Sequence, residues 1–124
     1  METGLVFTKQ GVPICWHTPP ARSDVYLPDS RGLWETLWDH RETLGGVAHT
    51  HLCHGPPTPS VTDVTTFAAV EQGLGVRLTW PIVTFTTVGY FVWAGYGKHV
   101  YSQLEQGTFK LSTQLINQLR GRSR

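Results

Sequence analysis

Residues 49–63 read HTHLCHGPPTPSVTD and hold the densest set of metal-capable side chains in the chain. His49 and His51 are two residues apart, so on an extended strand both imidazoles point to the same face. Imidazole is the commonest protein ligand for zinc, and Asp63 is the nearest candidate for a third ligand. Two imidazoles and a carboxylate leave a fourth position open, which is the arrangement of a catalytic zinc rather than a structural one.

Ser60 and Asp63 have a second interpretation, because their spacing also fits a capping box at the start of a helix. The two interpretations are compatible, since a carboxylate fixed at a helix start can reach a metal held on a neighbouring strand. Three prolines between the His pair and Ser60 stiffen the intervening loop and lower the entropy cost of ordering it. A lone His-x-His is common by chance. The prediction of a metal site therefore rests on the combination of His-x-His, the proline-rich loop and Ser-x-x-Asp.

Hydrophobic periodicity predicts the elements on both sides of this stretch. We expect strands at 5–9, 12–16, 47–51, 76–87, 90–94 and 98–104. We expect helices at 31–44, 61–72 and 111–120. Pro13 confines the second strand to a sheet edge or a strand start, Gly46 allows close approach of another backbone, and Val88-Gly89 is a candidate turn. The order of elements predicts an α+β class with a mixed β-sheet flanked by helices.

Bulk composition restricts the function. The 124 residues make one ordinary domain, 1–124, in which the basic segment 118–124 is expected to be a flexible tail. A net charge of +1 with only 15% charged residues gives no basic field for nucleic acid. The two cysteines are too few for a disulfide framework, and neither a signal peptide nor a membrane span is recognisable. A cytoplasmic protein is therefore expected, with its oligomeric state open.

The combined motifs resemble a known family. Glu2-Thr-Gly, His49-Thr-His51 and Pro59-Ser-Val-Thr-Asp63 look like the JAMM motif of MPN-type (JAB domain) zinc metalloproteases, in a minimal prokaryotic form. The chain departs from that pattern in the loop after His51, which is one residue longer than usual and begins with Leu52 in place of proline. The resemblance covers residues 2–70 and implies a cytidine-deaminase-like (MPN/JAB) fold.

The resemblance also implies a mechanism. His49, His51 and Asp63 would hold one zinc ion per chain, and Glu2 would act as general base on the zinc-activated water. Ser60 would donate a hydrogen bond to the developing oxyanion. The implied reaction is hydrolysis of a peptide or isopeptide bond, at the C-terminal tail of a ubiquitin-like protein, by a deubiquitinase-like hydrolase. The implied partners are that ubiquitin-like protein or a peptide substrate.

Three alternatives stay open. Many MPN domains are metal-free scaffolds or binding modules, and a zinc analysis separates these from an enzyme. A nucleic-acid enzyme of the RadC type is disfavoured by the near-neutral charge. Cys53 and His54 extend the His pair toward a metallo-β-lactamase pattern, but the chain is too short for that fold, so Cys53 is expected to be a small buried residue. His17 is expected at the surface or half-buried, and Trp34 and Trp38 are expected in the core.

Overall fold

The computed structural model describes residues 1–105 and 107–124. Its strands are β1 (Gly4–Thr8), β2 (Pro13–His17), β3 (Leu44–Thr50), β4 (Trp80–Val83), β5 (Val88–Trp93) and β6 (Tyr101–Gln103). Its helices are α1 (Arg31–Asp39), α2 (Val61–Leu74) and α3 (Thr113–Ser123). The prediction of an α+β protein with a sheet flanked by helices is therefore confirmed.

The six strands form one mixed sheet in the order β2-β1-β3-β4-β5-β6. Among the six described strands only β3 and β4 pair in parallel, and α2 is the crossover between them; the other neighbours in the sheet pair antiparallel. The strand that contains Pro13 lies at an edge, as expected, because a ring nitrogen cannot donate to a ladder.

The sheet is covered on both faces, because successive side chains of a strand point to opposite sides. In β1, Val6 packs with residues of α1 and α2, whereas Leu5 and Phe7 pack with residues of α3. β4 divides in the same way, with Ile82 in the first cluster and Val83 in the second. Because both faces of the sheet are packed, the strands are held rigidly. Side chains at the ends of the strands therefore have well-defined positions.

Gly46 is required where β3 passes the start of β4. A Cβ atom at this position would lie 1.7 Å from the carbonyl oxygen of Thr79. The expected close approach of another backbone is therefore present. Any larger residue at Gly46 would push β3 and β4 apart.

The first helix is shorter than its sequence pattern predicts. It begins at Arg31 behind the cap Ser30, as expected, but ends at Asp39 instead of continuing to residue 44. Leu44 is buried, with 2% of its surface exposed, and begins β3. The burial of Leu44 in the sheet core therefore outweighs the helical spacing of the apolar residues that precede it. Trp38 is also wrongly predicted, since it is 51% exposed, while Trp34 packs against the core.

The predicted strand 76–87 is also too long, because only Trp80–Val83 forms a strand. The Thr84 hydroxyl accepts hydrogen bonds from the backbone N–H groups of Thr86 and Thr87, which bends the chain into a turn. Val88-Gly89 is consequently not a turn but the beginning of β5. Similarly, the strand predicted at 98–104 is shortened to Tyr101–Gln103.

The segment 118–124 is not a flexible tail. Helix α3 starts behind the cap Ser112 and extends from Thr113 to Ser123, so it begins two residues later and ends three residues later than the predicted helix 111–120. Leu119 and Ser123 are buried, and Arg120 donates from Nε to the carbonyl oxygen of Thr84 at 2.8 Å. Across the described parts of the chain, the structure contains no helix with the length and apolarity that crossing a membrane requires.

Candidate metal centre

The parallel pair of strands places the His pair next to the start of α2. His49 lies in β3, His51 follows its last residue, and the crossover then runs to the N-terminus of α2. The predicted capping box is confirmed: the Asp63 N–H donates to the Ser60 hydroxyl, and the Ser60 N–H donates to the Asp63 carboxylate. This cap fixes the Asp63 side chain at the end of the sheet where β3 stops.

Three side chains with ligand atoms converge at this point. The Nε2 atoms of His49 and His51 are 3.1 Å apart. Asp63 Oδ1 is 3.2 Å from His49 Nε2, and Asp63 Oδ2 is 3.0 Å from His51 Nε2. Tetrahedral zinc with nitrogen ligands at 2.0–2.1 Å has ligand atoms roughly 3.3 Å apart, so each of these three separations is close to the spacing of ligands around one ion. The donor set fits a divalent ion, because two imidazoles and a carboxylate each offer one ligand atom and these atoms all lie within 4.8 Å of one another.

The charges in the cluster depend on one another. Burial by itself raises the pKa of Asp63, but the hydrogen bonds from His49, His51 and the Ser60 backbone outweigh it and hold the pKa well below its usual range. The hydrogen bond to Asp63 raises the pKa of His51, against the opposing effect of burial. The carboxylate is therefore ionised at neutral pH, which is the state in which it can bind a cation.

Glu2 lies beside this cluster. The register pairs Gly4 of β1 with His49, and the Thr50 N–H continues the ladder by donating to the Thr3 carbonyl. Continuing this antiparallel register by one residue places Glu2 opposite His51. The Glu2 side chain lines the cleft that also contains the three clustered side chains, and the residue is 9% exposed. Burial raises the pKa of Glu2, although the positive charge of the two histidines partly offsets this. A buried carboxyl with a raised pKa next to a candidate metal site has the chemistry of a general acid or base.

The Glu2 backbone is fixed by the segment between β2 and α1, where no helix or strand is predicted from the sequence. The Glu2 N–H donates to the Ser23 carbonyl at 2.7 Å, and Arg22 donates to the Glu2 carbonyl and to the Thr3 hydroxyl. His17 is buried, contrary to expectation, and its Nε2 lies 2.6 Å from the Pro28 carbonyl oxygen. No local pattern signals these contacts, because each joins residues that are more than ten positions apart.

A cleft of about 700 Å³ opens onto the cluster. The segment that follows β2 forms one wall, and the first turns of α2 form another. Its apolar lining includes Leu27, Leu33, Trp34, Val70 and Trp80. A largely apolar cleft, of the kind that binds ligands, therefore lies beside the candidate ligand atoms.

The remaining residues of the His-rich stretch do not join the cluster. Cys53 is exposed rather than buried and lines the cleft. The His54 ring packs against Phe85 with 5.4 Å between centroids. Neither belongs to the group of side chains that could share one ion with His51, which leaves the metallo-β-lactamase pattern without support.

Comparison of the chain with models of known protein families and with curated proteins gives no match. The case for a function therefore rests on the arrangement of side chains around the cleft.

Proposed function

We propose that the chain is a zinc-dependent metallopeptidase or isopeptidase of the JAMM type, with an MPN (JAB) domain of cytidine-deaminase-like fold. The observation that carries the proposal is the convergence of His49, His51 and Asp63 in a cleft that Glu2 also lines. A mixed sheet in which the His pair ends a parallel strand and the acid begins the crossover helix is consistent with that fold.

In this proposal His49, His51 and Asp63 hold one zinc ion, which when bound polarises the scissile carbonyl and lowers the pKa of a water molecule to about 7. The Glu2 carboxylate accepts the proton of the attacking water and passes it to the leaving amine. The Ser60 oxygen is engaged as an acceptor in the helix cap, which leaves its O–H to donate to the oxyanion.

The substrate class follows from the shape of the cleft together with the motif. We propose that the cleft receives the extended C-terminal tail of a ubiquitin-like protein, or a comparable peptide. The edge strand β2 ends at His17 on the cleft wall, so it offers a free edge that such a tail can extend. The apolar walls favour a tail with apolar side chains.

The first test measures metal content and hydrolysis together. Protein purified without chelators should contain about one zinc per chain and should cleave a fluorogenic amide attached to the tail of a ubiquitin-like protein. Chelation should stop the cleavage, and added zinc should restore it. A protein that takes up no zinc, even when zinc is supplied, would refute the enzyme and favour the metal-free scaffold.

The second test isolates Glu2. We expect Glu2→Gln to keep zinc but to lose about 10²–10⁴ of the hydrolysis rate, because the proton acceptor is gone while the three ligands remain. Glu35→Gln is the matched control, since Glu35 is an exposed carboxylate of α1 that pairs with Arg31. Equal turnover by Glu2→Gln and wild type would remove Glu2 from the mechanism.

A further inference from the structure

The loop between His51 and Asp63 is attached to the turn that joins β4 and β5. The His51 N–H donates to the Val83 carbonyl at 3.0 Å, and the Phe85 N–H donates to the Cys53 carbonyl at 2.9 Å. The parallel pairing of β3 with β4 thus continues beyond the last residues of both strands. The loop leaves the sheet only after this point.

Three threonine side chains then hold one glycine of the loop. The Gly55 N–H donates to the Thr86 hydroxyl at 2.7 Å. The Gly55 carbonyl accepts from the hydroxyls of Thr84 and Thr87 at 2.8 and 2.6 Å. Gly55 has a φ of 88°, in the left-handed region that glycine adopts without steric cost. Both polar groups of this residue are therefore satisfied by side chains of the turn.

The turn is itself held firmly from two sides. Arg120 of α3 donates to the Thr84 carbonyl at 2.8 Å, which ties the turn to the opposite face of the sheet. On the loop side, a Cβ added to Gly89 would lie 2.9 Å from Pro57 Cγ, so the proline rests directly on β5. Contacts from both sides thus hold the turn in place.

We propose that Thr86 and Thr87 are positioning residues for the metal centre, which they serve by holding Gly55 and with it the loop that joins two of the ligands. This inference rests on the proposed function, because it assigns the two hydroxyls to the same centre. His51 lies four residues before Gly55, and Asp63 eight residues after it. Anchoring the loop between them presets the separation of the two ligands and lowers the entropy cost of binding an ion.

The test compares two double variants. Thr86→Val with Thr87→Val removes both hydroxyls at nearly constant shape, while Thr86→Ser with Thr87→Ser retains them. Thr86 is exposed and Thr87 is half-buried, and Thr84, which shapes the turn, is left intact. Thr43→Val, at an exposed threonine before β3, controls for the loss of a surface hydroxyl elsewhere.

Two measurements are made on each protein. In the metal-free protein we expect faster hydrogen exchange at the Gly55 amide in the valine variant, with wild-type exchange in the serine variant and in Thr43→Val. In titrations with zinc against a chromophoric chelator, we expect the valine variant to bind about 10- to 100-fold more weakly and the serine variant to recover most of the affinity.

Unchanged exchange at Gly55, or unchanged zinc affinity in a valine variant whose loop has loosened, would overturn the proposal. Equal weakening in the serine and valine variants would overturn it too, because the hydroxyls would then not be the cause. A wild type that binds no zinc would refute the proposed function together with the role in metal binding. The exchange measurement on the metal-free protein would still decide whether the hydroxyls hold the loop.

Discussion

Helix α2 carries two poorly exposed carboxylates whose surroundings differ in kind. Glu71, near its C-terminal end, is 3% exposed and accepts from the Arg77 guanidinium, the Leu78 N–H, the Trp80 indole and the Tyr101 hydroxyl. Asp63, in its first turn, faces two imidazole nitrogens and the Ser60 backbone. The partners of Glu71 are N–H and O–H groups that can only donate to its carboxylate at neutral pH. The partners of Asp63 include imidazole nitrogens, which can act either as hydrogen-bond donors or as lone-pair ligands.

This difference separates a structural acid from a candidate ligand. A buried carboxylate surrounded by N–H and O–H donors is satisfied, and it ties the end of α2 to the sheet. Burial and the adjoining Glu71 carboxylate both raise the pKa of Tyr101, so this phenol stays protonated and keeps donating at neutral pH. Asp63 and its two histidines instead form a group of side chains that could hold a metal ion, since each imidazole nitrogen becomes an acceptor when it gives up its proton.

The largest effect on folding is expected at the structural acid. Glu71→Ala should lower the free energy of unfolding by about 2–5 kcal/mol, because the buried N–H groups of Leu78 and Trp80 lose their acceptor. The Arg77 side chain is 56% exposed and adds little to that loss. Denaturant unfolding measures the change. Zinc affinity measured on the folded variant should match wild type, and a strong loss of affinity there would show that the two acids are not independent.

The next largest effect is expected at Asp63, where a substitution should change the stabilisation by zinc. Zinc at 100 times its dissociation constant should stabilise the wild type by about 2.7 kcal/mol, and Asp63→Asn should abolish most of that gain. The asparagine carbonyl can still accept from Ser60, but the variant loses the charged hydrogen-bond acceptor of the two histidines, so the metal-free variant should be less stable than the metal-free wild type. Thermal unfolding with and without zinc tests this. Full zinc stabilisation of Asp63→Asn would remove Asp63 from the ligand set.

The smallest effect is expected at the cap that holds Asp63. Ser60→Ala should cost about 1 kcal/mol of stability, since the Asp63 N–H loses its acceptor while the backbone N–H of residue 60 still donates to the carboxylate. Denaturant unfolding of the metal-free protein measures it, and Ser112→Ala at the start of α3 is the matched control. A stability equal to wild type would mean that the prolines alone fix the start of α2.

Much of the fold and part of the candidate site are predictable because their signals are local. The cap at Ser60, the edge position of Pro13 and the close approach at Gly46 each follow from the chemistry of one residue or one short spacing. The His pair is equally local, since alternation along a strand alone puts both rings on one side. By contrast, the ends of α1 and β4 are set by core packing at Leu44 and by the hydroxyl of Thr84, which propensity does not register.

The amino-acid sequence by itself determined the class of fold, the cap at the start of α2 and the set of side chains able to bind a metal, because these depend on neighbours within one helical turn or a few strand residues. Only the tertiary structure decided that Asp63 meets both imidazoles, that Glu2 lines the same cleft, and that Glu71 is satisfied instead of reactive. These outcomes depend on strand register and on a parallel crossover, which bring together groups that are distant along the chain.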